Sequence, residues 1–133
     1  MTDGERPVLL CLDLEPGSEG LALRGAGYAE RLGRPLHLLY VLPESSVETE
    51  ESAVNRLEAV AAAVGTAGVV AVRRGRVEER IVEYIKENGV EMVILGHRHR
   101  ARRERVYVGS TTKTVISLAP GPVLVVPIDG ERE

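Results

Sequence analysis

The chain has 133 residues, 44% of them hydrophobic, and a formal net charge of −3. That length suits one domain over residues 1–133 with a sizeable core, and the acidic balance argues against a general nucleic-acid binder. A single cysteine, Cys11, excludes an intrachain disulfide and a cysteine-based zinc cluster, and no apolar run approaches the ~18 residues of a membrane span.

The amino-terminal MTDGERP is polar and lacks the apolar centre of a secretory leader, so a cytoplasmic protein is expected. With no Phe and no Trp, the core has to be built from Val, Leu, Ile and Ala. The first strand is expected over Val8–Asp13. Cys11, inside that apolar run, reads as a small buried hydrophobe rather than a reactive thiol. Ser18 then has the position of a cap for a helix reaching Leu32, with Leu21, Gly25, Tyr28 and Leu32 on one face and Gly33 as its stop. Gly25 and Gly27 each cost about 1 kcal/mol against Ala inside a helix, which suggests close approach to a sheet.

Pro35–Leu42 is the second predicted strand, with His37 as an ordinary satisfied strand residue. Ser45 and Glu48 are spaced as a capping box before a second helix, in which Val54, Leu57, Ala61 and Val64 share a face. Gly68–Arg73 is a weaker strand, suited to an edge. Arg76–Asn88 carries the clearest helical stripe, Val77, Ile81, Tyr84 and Ile85, and Gly89 stops it. Glu91–Gly96 is the fourth strand, Gly109–Ala119 the last helix, closed by Pro120, and Pro122–Pro127 the last strand. Near-continuous aliphatic strands alternating with helices predict an α/β, Rossmann-like fold: one open parallel five-stranded sheet covered on both faces.

In such sheets ligands sit beyond the carboxyl ends of the strands. Asp13, Val41 and Gly96 all fall at those ends. After Gly96 the chain runs through a strongly basic loop. Residues 96–113 hold six Arg or Lys and one Glu, a local charge of +5, which leaves −8 for the remainder. The loop reaches Gly109, Ser110 and Thr111 at a helix start, where unpaired N–H groups and hydroxyls suit an anion. A solvated loop with a plain Gly-Ser cap has the same spacing.

These residues resemble the universal stress protein family over nearly the whole length. Nucleotide-binding members carry Gly-x2-Gly-x9-Gly-Ser/Thr after the fourth strand. Gly96, Gly109 and Ser110 match that pattern, but His99 stands at the second Gly. GPVLVVP matches the family's last strand, Asp13 its acidic residue after the first strand, and YVLPE the end of its second. The resemblance implies strand order 3-2-1-4-5, a homodimer through Pro122–Pro127, and binding of ATP or AMP, with magnesium accompanying ATP. Asp13 would meet the adenosine part and Val41 the base, through its backbone. Gly96, Gly109 and Ser110, with Thr111 beside them, would meet the phosphates. Arg98 and the following arginines can reach phosphate bidentately, and Arg98 to Arg105 are expected to form a flap over it.

His99 in place of Gly obstructs close backbone approach, so the alternative is a member of the same fold that binds no nucleotide and docks an acidic partner on its Arg-rich loop. His97, His99 and Glu104 make a poor metal set. No nucleophile–base pair is evident, so chemistry beyond slow ATP hydrolysis is not expected. The arginines lack interleaved aromatics, which argues against nucleic acid as a partner.

Overall fold

A computed structural model of the chain describes residues 5–98 and 109–128. Five strands, β1 (Val8–Cys11), β2 (Leu36–Leu42), β3 (Val69–Arg74), β4 (Met92–Arg98) and β5 (Val123–Ile128), alternate with four helices. These are α1 (Ser18–Leu32), α2 (Glu50–Ala63), α3 (Val77–Asn88) and α4 (Ser110–Leu118). The sheet is parallel throughout, in the order β3-β2-β1-β4-β5. β1 is the central strand. Val8 lies opposite Leu36 and Met92, and Cys11 opposite Leu39 and Leu95.

Side chains alternate between two cores, as strand geometry requires. Val8, Leu10, Leu38, Ile94 and Val126 pack with Leu21 of α1 and Leu57 of α2. Leu9, Leu39, Val93 and Leu95 pack with Ile81, Tyr84 and Ile85 of α3 and Val115 of α4. Val8, Leu9 and Leu10 of β1 are fully buried, on both faces of the sheet, which explains its unbroken aliphatic run. β3, with no neighbour on one side, has only partly buried or exposed residues.

Three local expectations are corrected. The cap of α1 is Gly17, at φ 96°, and not Ser18. Ser18 is buried, and its hydroxyl turns back to Asp13. Leu32 is 51% exposed, since it is the last helical residue before the chain turns at Gly33, and the inner face is filled instead by Leu21, Ala22, Gly25 and Ala29. α2 is capped by Thr49, whose hydroxyl accepts the Ser52 N–H, and not by a Ser45–Glu48 box. Arg74 donates to the carbonyls of Pro43, Ser46 and Glu48 and to the Glu50 carboxylate, so the segment before Thr49 is gathered as a loop around one guanidinium.

His37 is satisfied as expected: its Nδ1 shares a 2.7 Å hydrogen bond with the Tyr84 hydroxyl. The two helical glycines divide. A Cβ on Gly25 would lie 2.9 Å from Leu10 Cδ2, so this glycine lets α1 sit close on β1, whereas a Cβ on Gly27 would meet nothing within 4 Å.

That difference predicts opposite outcomes. Gly27→Ala should stabilise the protein by about 0.5–1 kcal/mol through helix propensity alone. Gly25→Ala should lose that gain to the displacement of Leu10, and denaturant unfolding of the two variants checks it. Equal stabilisation by both would show that α1 does not press on Leu10.

Candidate functional site

The chain leaves β1 at its carboxyl end through a short loop that aims Asp13 over the sheet. Leu14 follows it at φ 60°, the one non-glycine residue with positive φ among the described residues. A bulky side chain pays roughly 1–2 kcal/mol for that conformation. The tight turn brings the Glu15 N–H to within 3.0 Å of Asp13 Oδ1, and the Ser18 hydroxyl donates to the same oxygen at 3.3 Å.

Arg98, the last residue of β4, reaches across to this loop. Its Nε donates to Asp13 Oδ2 at 2.9 Å and its Nη2 to Oδ1 at 2.7 Å, a two-pronged ion pair. Its Nη1 donates to the Pro16 carbonyl at 2.6 Å. The guanidinium side chain is 15% exposed, the Asp13 carboxylate 52%. Partial burial works to raise the Asp13 pKa, but the bonds from Arg98, the Glu15 N–H and the Ser18 hydroxyl outweigh it and hold the carboxyl below its ordinary value.

Asp13 borders two adjoining cavities. One, of about 290 Å³, is walled by Leu21, Leu95, Gly96, Thr111 and Thr112. The other, of about 250 Å³, is walled by Glu15, Leu39, Tyr40, Val41 and Pro43. Cys11, Leu12, Asp13, Val77 and Ile81 belong to both, so the two form one cleft across the carboxyl ends of β1, β2 and β4. Cys11 lies partly exposed on its floor, where burial pushes the thiol pKa well up and keeps it a neutral, unreactive group.

The expected site residues converge here unequally. Asp13, Val41, Gly96 and Thr111 all line the cleft. Arg98 stands at its rim, paired with Asp13. Gly109 is the cap of α4 at φ −70°, a backbone any residue can adopt, and a Cβ there would meet nothing within 4 Å. Ser110 is exposed and stands outside the cleft wall. His99, together with the arginines of the expected flap beyond Arg98, lies outside the described residues.

The close approach expected at Gly96 serves packing as well. A Cβ there would lie 2.4 Å from Ile128 Cδ1 and 2.8 Å from Leu21 Cδ2. Sequence reasoning missed Thr112, which is buried, and the Val77 and Ile81 wall from α3. Both had a signal. The hydroxyl run continues past Thr111, and α3 begins just beyond the carboxyl end of β3, at the same end of the sheet.

A larger cavity, of about 510 Å³, lies at the other end of the sheet, among Leu23, Gly27, Arg34, Leu36, Gly65 and Val69. It is an open groove between the carboxyl-terminal ends of α1 and α2. No helix amino terminus borders it, so size alone does not make it the better candidate for an anionic ligand.

Among solved structures, the chain is similar in fold to the universal stress protein UspA from Lactobacillus plantarum. Identity is 23% and the TM-score 0.66, over 91% of this chain and 97% of that one. It is similar to a universal stress protein solved in complex with cAMP, at 16% identity and TM-score 0.70 over 93% and 98% of the two chains. It is also similar to the universal stress protein from Archaeoglobus fulgidus in complex with dAMP, at 18% identity and TM-score 0.68 over 91% and 97%. No curated protein matches the sequence. The model of the universal stress protein family matches residues 5–127. With strand order, helix placement and nearly the full length in agreement, the chain belongs to the universal stress protein family.

Proposed function

We propose that the protein is an adenine-nucleotide-binding module, taking ATP or AMP in the cleft over β1, and that it acts as a homodimer in a stress response. One observation carries the ligand assignment: the two joined cavities meet at Asp13, one running to Val41 and the other to Gly96 and the first turn of α4. A nucleotide has the same three parts in the same order. The apolar floor beside Val41 and Leu39 suits a base, and a carboxylate in the middle suits the donors of the adenosine part. The amino-terminal turn of α4 has no acidic residue and no side-chain cap, which leaves its N–H groups for phosphate. The complexes of the two neighbours with cAMP and dAMP support an adenine ligand.

In this assignment Asp13 holds the adenosine part, Val41 presents its backbone to the base, and Gly96, Gly109, Ser110 and Thr111 attend the phosphates. Arg98 and His99 would contribute to the phosphate side. No cluster of three His, Cys, Asp or Glu groups suited to a metal is present among the described residues. Magnesium would therefore arrive on the phosphates of ATP rather than in a protein cage. A ligand that binds only the folded state raises its stability by mass action. ATP or AMP at a hundredfold excess over Kd should raise Tm by on the order of 10 °C. A millimolar series of both nucleotides with neither a thermal shift nor calorimetric heat would contradict the assignment and favour a partner-docking member of the family.

The dimer assignment rests on β5. It pairs with β4 on one side only, Val123, Leu124 and Val125 remain partly exposed on it, and its own sequence carries no charged residue. An apolar edge of this kind invites a second strand, and Pro127, whose carbonyl accepts from Arg24, blunts only its far end. Ile116 and Leu118 of α4, the helix just before β5, are half exposed and would extend the patch. Sedimentation at tens of micromolar should show a dimer, and Val125→Lys should shift it toward monomer. A monomeric unmodified protein at that concentration would overturn the assignment.

A further inference from the structure

Both oxygens of the cleft's central acceptor are already engaged. A carboxylate offers about four lone-pair sites. Asp13 accepts from four donors: the Glu15 N–H, the Ser18 hydroxyl and Arg98 Nη2 all reach Oδ1, and Arg98 Nε reaches Oδ2. The first two come from its own loop and fix its orientation. The other two come from a different strand, 85 residues away. Oδ2 keeps one open position, so a ligand that is to donate to both oxygens of Asp13, as a pair of ribose hydroxyls would, has to displace Arg98.

We propose that Arg98 is a selectivity latch on this cleft: it denies uncharged nucleosides a two-pronged grip on Asp13 and releases both carboxylate oxygens to ligands that bring a phosphate. The proposal rests on the assignment of the cleft to adenine nucleotides. An arginine fork on a carboxylate is among the stronger hydrogen-bonded pairs, and this one is largely shielded from solvent on the arginine side. Adenosine offers hydroxyl donors to Asp13 but nothing to the displaced guanidinium. A nucleotide offers both. Asp13 lines the cavity bordered by Gly96, Thr111 and Thr112, so an anion placed there lies within the neighbourhood of the freed guanidinium. The guanidinium exchanges one oxyanion for another, and the carboxylate regains the position on each oxygen that Arg98 held. Arg98 also holds the Pro16 carbonyl, so its release loosens the loop between β1 and α1 as the ligand enters. The latch acts on selection, and the fold does not depend on it, because Glu15 and Ser18 keep Asp13 in place without it.

A ligand whose competent state is populated one-tenth of the time binds about tenfold more weakly than its intrinsic affinity. Calorimetry with adenosine, AMP and ATP should therefore show adenosine binding about tenfold tighter to Arg98→Ala and Arg98→Gln than to the unmodified protein, with a smaller preference for AMP over adenosine in both variants. The Asp13 carboxyl, followed by its ¹³C shift, should titrate at higher pH in both variants. If all three ligands bind the variants as they bind the unmodified protein, or if the Asp13 midpoint does not move, the latch is overturned and the nucleotide assignment stands. If nothing binds any of the three proteins, the nucleotide assignment fails and the latch falls with it.

Discussion

Everything in this molecule is arranged around the position of β1. It is the first strand in the chain and the middle strand of the sheet, with parallel partners on both sides. A parallel neighbour can be reached only by a crossover, and crossovers of one hand place α1 and α2 on one face and α3 and α4 on the other. The winding therefore reverses at β1. The connections that leave β1 and β4 separate there, and a crevice opens over the carboxyl end of the central strand. The cleft at Asp13 is a consequence of strand order. No special loop had to be invented to make it, only residues to line it.

Those residues carry the cost of the site. Leu14 stands in a left-handed conformation so that the chain can turn beside Asp13, and Gly96 gives up a side chain so that Ile128 and Leu21 can close the floor. Strain and missing side chains of this kind are what a core would avoid, and they gather where a ligand is expected. The polar groups are few and tightly assigned. Asp13 is engaged on both oxygens by its own loop and by Arg98, and the apolar walls from α3 and β2 leave little else to donate or accept.

The fold was legible because burial on both faces leaves a plain record. Leu9, Leu10, Leu38, Leu39 and Ile94 are fully enclosed, and runs like theirs have few alternatives to a parallel strand. Helix ends were harder to read. Ser18 looks like a cap from its neighbours, but its hydroxyl is claimed by Asp13, five residues before it. Ser45 and Glu48 have capping-box spacing, but Arg74 draws their segment into a loop, and nothing local in the sequence announces a residue 26 positions away. Of the site, the strand-end residues Asp13, Val41 and Gly96 could be found from their position in the βα alternation. The pairing of Asp13 with Arg98 could not, because it depends on the length of β4, which continues two residues beyond Gly96 and so delivers the guanidinium to the rim.

The central claim is that one cleft, centred on Asp13, receives an adenine nucleotide. A crystal structure of the protein grown with AMP tests it most directly. The adenine ring should lie beside Val41 and Leu39, the phosphate beside Gly96 and Thr111–Thr112, and the Asp13 carboxylate should turn from Arg98 to the ligand. AMP seated in the groove between α1 and α2, or Asp13 still held by Arg98 over an empty cleft at millimolar AMP, would contradict it.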